Sequence, residues 1–429
     1  GETRSKALFG EIYYQLSDTV KLTAGLRYTD DQKISTPVPS QLLLMPGFAG
    51  GGYVNYGYPH LPNIDQRWRK PTGRLVLDWK PKLSFTDETL VYGSLSRGYK
   101  AGGTNSPGIG ADPKNLYFNP GPSTFKPEYV NAFEVGTKNM MAGGKFMLNA
   151  SAFYYDYKDY QVSQIVDRAT LNENFDAKMF GFELETAWQA TRALRFDGNI
   201  GYLHTRIADG ARSIDVLNRT QGDPDYVVIK PWLQQASNCV APKASVEKLL
   251  QWAQTSGYIL AFNDLASFCG GPFPTSNFVA PDGSIQLASG DFYNPNTQAP
   301  NGGRGFYADL GGKQLPNSPH WTGNVGTQYT FFTASGDFTL RGDYYRQSSS
   351  YARIYNTVSD KLRGWGNANL SLTWQAAKSD LTVQLYVKNL FNDTPITDAF
   401  VNSDDSGLTT NVFTLDPRIY GISVRMGFN

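Results

Sequence analysis

Apolar and polar side chains alternate one for one along most of this chain. From Lys145 to Tyr160, Phe146, Leu148, Ala150, Ala152 and Tyr154 fall on one side of a strand, and Lys145, Asn149, Ser151 and Tyr155 fall on the other. One face suits hydrocarbon and the other suits water. Because the pattern recurs about a dozen times, and the strands end in tyrosine or tryptophan, it predicts an all-β protein, an antiparallel transmembrane β-barrel.

Charged residues keep to one parity within each predicted strand, and this parity assigns the lipid-facing rows. In an early strand Leu22 and Leu26 face outward, whereas Thr23 and Arg27 face inward. Arg or Lys facing lipid at mid-bilayer costs roughly 2–4 kcal/mol, which explains the segregation. The same parity places these later residues outward: Leu75, Leu77, Trp79, Phe133, Val135, Phe180, Phe182, Leu184, Trp188, Phe196, Ile200, Tyr202, Trp321, Val325, Tyr329, Leu340, Tyr344, Leu370, Leu372, Val383, Leu385, Tyr420, Ile422, Val424, Met426 and Phe428.

Short and long connections alternate between the predicted strands. The short ones are expected to be periplasmic turns, and the long ones extracellular loops, as in bacterial barrels generally. Loops longer than about 15 residues are usually functional or disordered. The predicted loops run over about 31–67, 98–127, 161–176, 207–317, 348–361 and 394–414. Counting the strands gives about thirteen, and because bacterial barrels usually have an even number, we expect a portion of a larger barrel.

Composition supports this class and excludes others. The chain contains 43 Gly, 26 Tyr, 25 Phe and 8 Trp among 429 residues, a composition that favours strands and turns. It has no apolar run of about 18 residues that could form a membrane-spanning helix. Lys and Arg (39) balance Asp and Glu (38), so the charge does not suggest a nucleic-acid partner.

Eight segments, taken in order, resemble the C-terminal part of a TonB-dependent outer-membrane receptor. They are LTAGLRYTDDQK, LVYGSLSRGYKAGG, FKPEYVNAFEVGTK, FYYDYKDYQV, GFELE, LPNSPHWTGNVGTQYTF, VKNLFNDTP and DPRIYGISVRMGF. The resemblance implies a barrel of about 22 strands occluded by an N-terminal plug. Residues 1–429 would supply roughly strands ten to twenty-two as one domain, with neither the plug nor its TonB-binding segment.

The resemblance also suggests a role for three carboxylates on the inward parity. In the family, glutamates from two such strands pair with plug arginines, which corresponds here to Glu134 with Glu183 or Glu185. The alternative is that all three are solvated lumen carboxylates balanced by Lys138 or Arg195. A charge in a packed lumen is costly unless it is paired, which favours the plug contact.

Cys239 and Cys269 are the only cysteines, and both fall in the predicted 207–317 loop. An oxidising exterior favours a disulfide between them, and two free thiols are the alternative. Between them, Ser245 to Gln254 reads as a helix that ends at Gly257, with its apolar face formed by Val246, Leu249, Leu250 and Ala253. The loop is therefore expected to have a small fold of its own.

Aromatic, basic and amide side chains cluster near the predicted extracellular strand ends. They could bind an anionic or aromatic ligand, or they could be the girdle residues that every barrel carries. This candidate ligand set comprises Tyr99, Lys100, Tyr157, Tyr345, Gln347, Tyr351, Arg353 and Tyr355. His60, His204 and His320 are far apart in sequence, so no metal site or other cofactor is predicted.

Three functions fit these features to different degrees. The resemblance implies energised uptake of a scarce ligand such as a ferric siderophore, by an integral outer-membrane receptor that contacts lipid and, through its plug, the TonB complex. A passive channel or structural barrel without a plug is the alternative. An outer-membrane enzyme is not expected, because no catalytic constellation stands out.

Overall fold

A long antiparallel sheet dominates the structure, a computed structural model that describes residues 1–37, 62–106, 122–166, 169–230, 238–260, 264–265, 267–269, 280–402 and 407–427. In these residues the sheet has thirteen strands, each hydrogen-bonded to the next in chain order. They are β1 (Glu2–Ser17), β2 (Val20–Ser35), β3 (Ile64–Trp79), β4 (Glu88–Lys100), β5 (Glu128–Met141), β6 (Phe146–Val166), β7 (Ala169–Gln189), β8 (Leu194–Ile207), β9 (Trp321–Thr333), β10 (Gly336–Gln347), β11 (Gly366–Ala376), β12 (Leu381–Lys388) and β13 (Ile419–Met426).

The predicted fold class and strand number are confirmed, and the sheet is open. Within the described residues β1 pairs only with β2, and β13 pairs only with β12, so no hydrogen bonds join the two edges. Short turns connect strands at one end, as between Thr333 and Gly336, and long segments connect them at the other. We call these the turn end and the loop end. Thirteen strands therefore form a wall rather than a complete cylinder.

The outward rows follow the predicted parity. Directly opposed residues share a face, and the row Ala150, Leu184 and Ile200 crosses three strands with apolar side chains only. Large apolar side chains along this face are exposed, including Leu184 at 37% and Val424 at 63%. Aromatic residues border the apolar band near the turn end (Trp79, Trp188, Tyr329, Phe331) and near the loop end (Tyr154, Phe180, Trp321, Tyr344), as interfacial girdles do. Phe428 and His60 lie outside the described residues.

Several charges on the inward face form ion pairs with one another. Lys21 lies 2.9 Å from Asp78, and Arg74 lies 2.6 Å from Glu11. Arg341 on β10 contacts both Asp197 at 2.8 Å and Asp343. Salt bridges of this kind are worth little individually, but they leave these inward charges locally balanced.

Short strands and helices form at the loop end. Two-residue or longer strands pair as Gly103–Thr104 with Thr124–Phe125, Arg212–Ser213 with Ala308–Asp309, Tyr226–Ile229 with Cys239–Pro242, Ile285–Gln286 with Phe292–Tyr293, Ser350–Tyr351 with Lys361–Leu362, and Ile396–Val401 with Thr410–Thr414. Helix α1 spans Lys243–Ser256 and α2 spans Pro295–Gln298, with 3-10 turns at Ser267–Cys269, Pro300–Gly303 and Val358–Asp360.

The prediction of a long loop over 161–176 is wrong. Strand β6 continues to Val166 and β7 begins at Ala169, so this hairpin extends beyond its neighbours. A bulge between Tyr157 and Tyr160 shifts the register, and Asp159 there has φ 54°. The extra residue breaks the alternation that marks a strand in the sequence, which is why the pattern seemed to end early.

Two apolar clusters lie in the loop-end segments rather than in the membrane-depth wall. The first packs the inward side of the β7 tip against the 207–317 and 348–361 segments, through Phe175, Ala177, Ile207, Ala308, Leu310, Leu315, Ile354 and Tyr355. The second is internal to the 207–317 segment and contains Ile229, Cys239, Ala241, Leu249, Phe268, Cys269, Leu287 and Tyr293. The predicted small fold within the long loop thus has its own core.

Helix α1 covers the predicted helix and ends as expected, because Gly257 adopts the left-handed conformation with φ 70°. Leu249 and Ala253 are buried, and Val246 packs against the second cluster. Leu250 is an exception, since it is 46% exposed and does not belong to the buried face.

The assignment of faces predicts opposite effects at neighbouring residues of β13. Val424→Arg places a charge on the outward face, so it should destabilise the membrane-inserted barrel by roughly 2–4 kcal/mol. Ser423→Arg, the matched control, points inward and should fold normally. Heat-modifiable migration of the natural protein in isolated outer membranes measures both, and equal losses at the two positions would contradict the register.

Candidate functional site

Three inward carboxylates distinguish the wall beside β5 and β7. The carboxylate of Glu134 accepts a hydrogen bond of 2.7 Å from the hydroxyl of Tyr92 on β4. Glu183 lies in the cross-strand row that also contains Ser151, Gly136 and Tyr92. Tyr92 therefore starts in the row of Glu183 and reaches Glu134 with its hydroxyl, which links the two positions.

Gly136 makes this link sterically possible. It stands opposite Tyr92 on the neighbouring strand, and a Cβ at position 136 would come within 2.6 Å of the Tyr92 ring. Any larger residue would have to displace the ring from β5, because real Cβ atoms do not approach other atoms so closely. A glycine in the strand interior here lets the tyrosine lie flat against the sheet.

None of the three carboxylates has a cationic partner among the residues that the structure describes. Glu185 accepts a hydrogen bond of 3.1 Å from Asn149, a neutral group. Neither Lys138 nor Arg195 forms an ion pair with any of them in the described part of the chain, so local balancing by these two residues gains no support. This contrasts with the paired charges elsewhere on the inward face.

The eight predicted ligand-binding residues lie in separate groups near the loop end. The rings of Tyr99 and Tyr129 are 5.7 Å apart, and Lys100 lies 3.9 Å from the carboxylate of Glu128. Tyr157 packs edge-on against Tyr160 at 5.4 Å. Farther along the sheet, the ring of Tyr345 lies 5.1 Å from that of Trp365, tilted by 51°. Tyr345 also donates a hydrogen bond of 2.9 Å to Gln347, and Tyr351 lies in the short strand Ser350–Tyr351.

Arg353 and Tyr355 link the 348–361 segment to the 207–317 segment, and this link is called the tie. Arg353 contacts Asp215 at 2.7 Å and Asp360 at 2.6 Å, and all three side chains are largely buried. The hydroxyl of Tyr355, which is 2% exposed, donates to the carbonyl of Ile214 at 2.8 Å. It also lies 2.9 Å from the amide oxygen of Gln164 and 3.0 Å from the hydroxyl of Ser213.

The ionisation of these two side chains suits that tying role. Burial raises the pKa of Tyr355, so its hydroxyl keeps its proton and remains a donor at neutral pH. Burial alone would lower the pKa of Arg353, but the hydrogen bond and charge of Asp215, with the charge of Asp360, raise it above its ordinary value. Ligand contact by Arg353 and Tyr355 stays a prediction, and their geometry joins the 207–317 segment to the 348–361 segment.

Cys239 and Cys269 are joined by a disulfide in the structure, with Cα atoms 5.3 Å apart. Both cysteines are buried in the second apolar cluster beside Leu249 and Phe268. Cys239 also begins the strand Cys239–Pro242 that leads into α1. The bridge therefore fastens the two sides of the small core inside the long loop.

A cavity of about 480 Å³ lies between the tip of the β6–β7 hairpin and the 207–317 segment. Its polar lining includes Gln164, Glu173, Arg212, Ser213 and Arg304. These residues could not be predicted as a site from the sequence, because they lie in stretches assigned to loops, where the alternation of apolar and polar residues carries no information. The 207–317 segment contains only three arginines, so its composition gives no signal of a binding site either.

The structure brings together His204 and His320, which are far apart in sequence. Their rings stack at 5.5 Å on the outward side, and His204 also stacks on Phe180 at 4.8 Å. The nitrogen Nδ1 of His320 lies 2.9 Å from the carbonyl oxygen of Leu203. In the described ranges no three His, Cys, Asp or Glu side chains converge as metal ligands. Over the same ranges, no helix combines the length and apolar character needed to cross a membrane.

A family profile for the β-barrel of TonB-dependent receptor-like proteins matches residues 1–235 and 277–390. This chain belongs to that family. Among solved structures, it superposes on the ferric yersiniabactin uptake receptor FyuA from Yersinia pestis with a TM-score of 0.60 at 16% identity, over 100% of this chain and 46% of the other. The siderophore receptor PiuA from Acinetobacter baumannii gives 0.55 at 14%, covering 98% and 43%, and the copper transporter OprC gives 0.56 at 14%, covering 99% and 48%.

These comparisons establish the barrel fold, and the solved neighbours are receptors and transporters. The receptor-barrel fold also implies a bacterial outer membrane as its location. The chain spans less than half the length of the three solved receptors and transporters.

The tie formed by Tyr355 can be tested in this receptor barrel. Tyr355→Phe should leave the buried carbonyl of Ile214 without its donor, at a local cost of about 1–3 kcal/mol. We expect faster hydrogen–deuterium exchange in peptides covering residues 210–219. Tyr351→Phe is the control, because the Tyr351 hydroxyl has no hydrogen bond to any described residue; the same acceleration there would refute the tie.

The disulfide gives a second prediction. In the chain-entropy model, closing a loop with a sequence separation of 30 residues stabilises the folded segment by roughly 3–4 kcal/mol. Replacing both cysteines by Ser should make the 207–317 segment of the receptor sensitive to protease while the strands stay protected. Mass spectrometry of unreduced peptides should find Cys239 linked to Cys269, and recovery of both as free thiols would count against the bridge.

Proposed function

We propose that this chain is the C-terminal portion of the barrel domain of a TonB-dependent receptor, integral to the outer membrane, that takes up a scarce ligand such as a ferric siderophore. The observation that carries the proposal is the group of inward carboxylates without cationic partners among the described residues, on a face where Lys21 pairs with Asp78 and Arg74 pairs with Glu11.

The carboxylates fit the surface of a plug. Buried charges are tolerated when they are paired and hydrogen-bonded, and a planar guanidinium pairs well with carboxylate oxygens. Glu134 and Glu183 are the preferred pair, because Tyr92 bonds to Glu134 from the row that contains Glu183. Glu185 lies one row away beside Asn149 and is the less favoured contact.

The loop end supplies the other half of the function. Its segments have cores of their own and expose aromatic and basic side chains, which suits capture of a ligand from outside the cell. Capture would bias the plug toward release, and the TonB complex would provide the energy for passage. In this scheme the wall is a rigid frame and the plug is the moving part.

Replacing both preferred glutamates tests the scheme. In the natural full-length receptor, Glu134→Gln with Glu183→Gln should leave plug arginines uncompensated, at roughly 3–5 kcal/mol for each broken buried pair. The plug should loosen, so cells should become sensitive to vancomycin, which is too large for porins. The control is Glu88→Gln, an exposed carboxylate at the turn end, which should leave resistance unchanged.

Uptake provides the complementary measurement. Cells that express the natural receptor should accumulate radiolabelled iron from their own iron-limited medium only when TonB is present. A passive channel would give accumulation independent of TonB and equal vancomycin sensitivity in all variants. Normal resistance and uptake in the double variant, at normal expression, would contradict the plug contact. Glu134 and Glu183 would then be solvated carboxylates of the lumen.

A further inference from the structure

The cavity at the β6–β7 tip is enclosed by segments that hold each other in place. The hairpin contributes Leu171 and Glu173, and the 207–317 segment contributes Ser213, Ile214 and Arg304. Leu171 and Ile214 are buried, and the Tyr355 hydroxyl contacts the carbonyl of Ile214 directly beside the cavity. A volume of about 480 Å³ falls in the range of small-molecule sites.

The side chains of Arg212 and Arg304 line the cavity, and the charge of Arg304 acts on the Glu173 carboxyl, whose pKa it lowers against the larger rise caused by burial. Arg212 is exposed and Arg304 is half-buried, and neither forms an ion pair with a described residue. The backbone of Arg304 is fixed, because its carbonyl oxygen accepts a hydrogen bond of 2.8 Å from the guanidinium of Arg219. A fixed backbone keeps the Arg304 side chain at the cavity wall.

The cavity lining also offers a hydrogen-bond acceptor, Glu173. The Glu173 carboxylate accepts bonds of 2.6 Å from the hydroxyl of Ser213 and 2.6 Å from the amide of Gln164. A carboxylate has about four lone-pair sites, so Glu173 can accept a further donor. The guanidinium group of an arginine forms paired hydrogen bonds with a carboxylate. A fixed carboxylate instead accepts a hydrogen bond from a hydroxyl group and repels a second anion.

We propose that this cavity binds a small hydroxycarboxylate, with Arg212 and Arg304 on the ligand carboxylate and Glu173 on its hydroxyl. The proposal rests on the proposed uptake function for its biological purpose, since such a group would be part of the captured ligand. Tyr307, which is 48% exposed at the cavity wall, would cover the ligand from the solvent side. Binding itself requires neither TonB nor transport.

Isothermal titration of the natural full-length receptor in detergent tests the proposal, with malate as the probe and succinate, which lacks the hydroxyl, as its matched partner. Malate should bind more tightly than succinate. Arg304→Gln should weaken malate binding by about tenfold, the effect of losing a charge-assisted hydrogen bond. Glu173→Gln should narrow the difference between malate and succinate. Arg363→Gln, an exposed arginine outside the cavity, is the control and should change neither affinity.

Each outcome decides the proposal. Absence of malate binding, equal binding of malate and succinate, or equal losses from Arg304→Gln and Arg363→Gln would overturn it. If the Arg304→Gln variant loses heat-modifiable migration, the Arg304→Lys variant is used instead. Unchanged malate affinity in the Arg304→Lys variant would count against a paired hydrogen bond from Arg304 to the ligand carboxylate. Lost binding with intact TonB-dependent uptake would overturn the cavity alone, whereas intact binding without energised uptake would overturn the transport function alone.

Discussion

The pairing of every backbone amide and carbonyl at membrane depth is the constraint on which the rest of this structure depends. A strand satisfies it only through neighbouring strands, so the chain builds one continuous antiparallel sheet from β1 to β13. Once the backbone is fixed in this way, alternate side chains must face either lipid or the lumen. Leu184 faces lipid and Glu183 faces the lumen for this reason alone, and the separation of charge from apolar surface follows.

The same constraint moves the buried cores out of the wall. A sheet with lipid on one side and a lumen on the other has no interior of its own, so its apolar residues cluster where loops fold over the strand ends. The β6–β7 hairpin extends beyond the sheet and provides a surface against which the 207–317 and 348–361 segments pack. Arg353 and Tyr355 then join those segments, and the disulfide stabilises the more distant cluster.

Sequence pattern predicts the wall well because period-two alternation is the direct result of a two-sided environment. The outward placement of Leu184 and of Val424 could be predicted from the sequence alone, as could the helix that ends at Gly257. Alternation fails at Asp159, where one extra residue shifts the parity and concealed the upper part of the hairpin. The alternation also gives no indication of the cavity, because Glu173 and Arg304 both line it as a result of loop packing, which has no periodic pattern in the sequence. The contact between Tyr92 and Glu134 depends on Gly136 on the neighbouring strand, so it too could not be predicted from the sequence.

The division of adjacent residues between lipid and lumen is the central claim, and spin-label accessibility measures it most directly. A nitroxide attached to cysteine at position 184 of the natural receptor in lipid bilayers should be relaxed strongly by oxygen, which concentrates in hydrocarbon. A nitroxide at position 183 should be shielded from oxygen, because it faces the lumen. Reversed accessibilities, or equal exposure of both positions to oxygen, would contradict the assignment of faces from which the plug contacts are inferred.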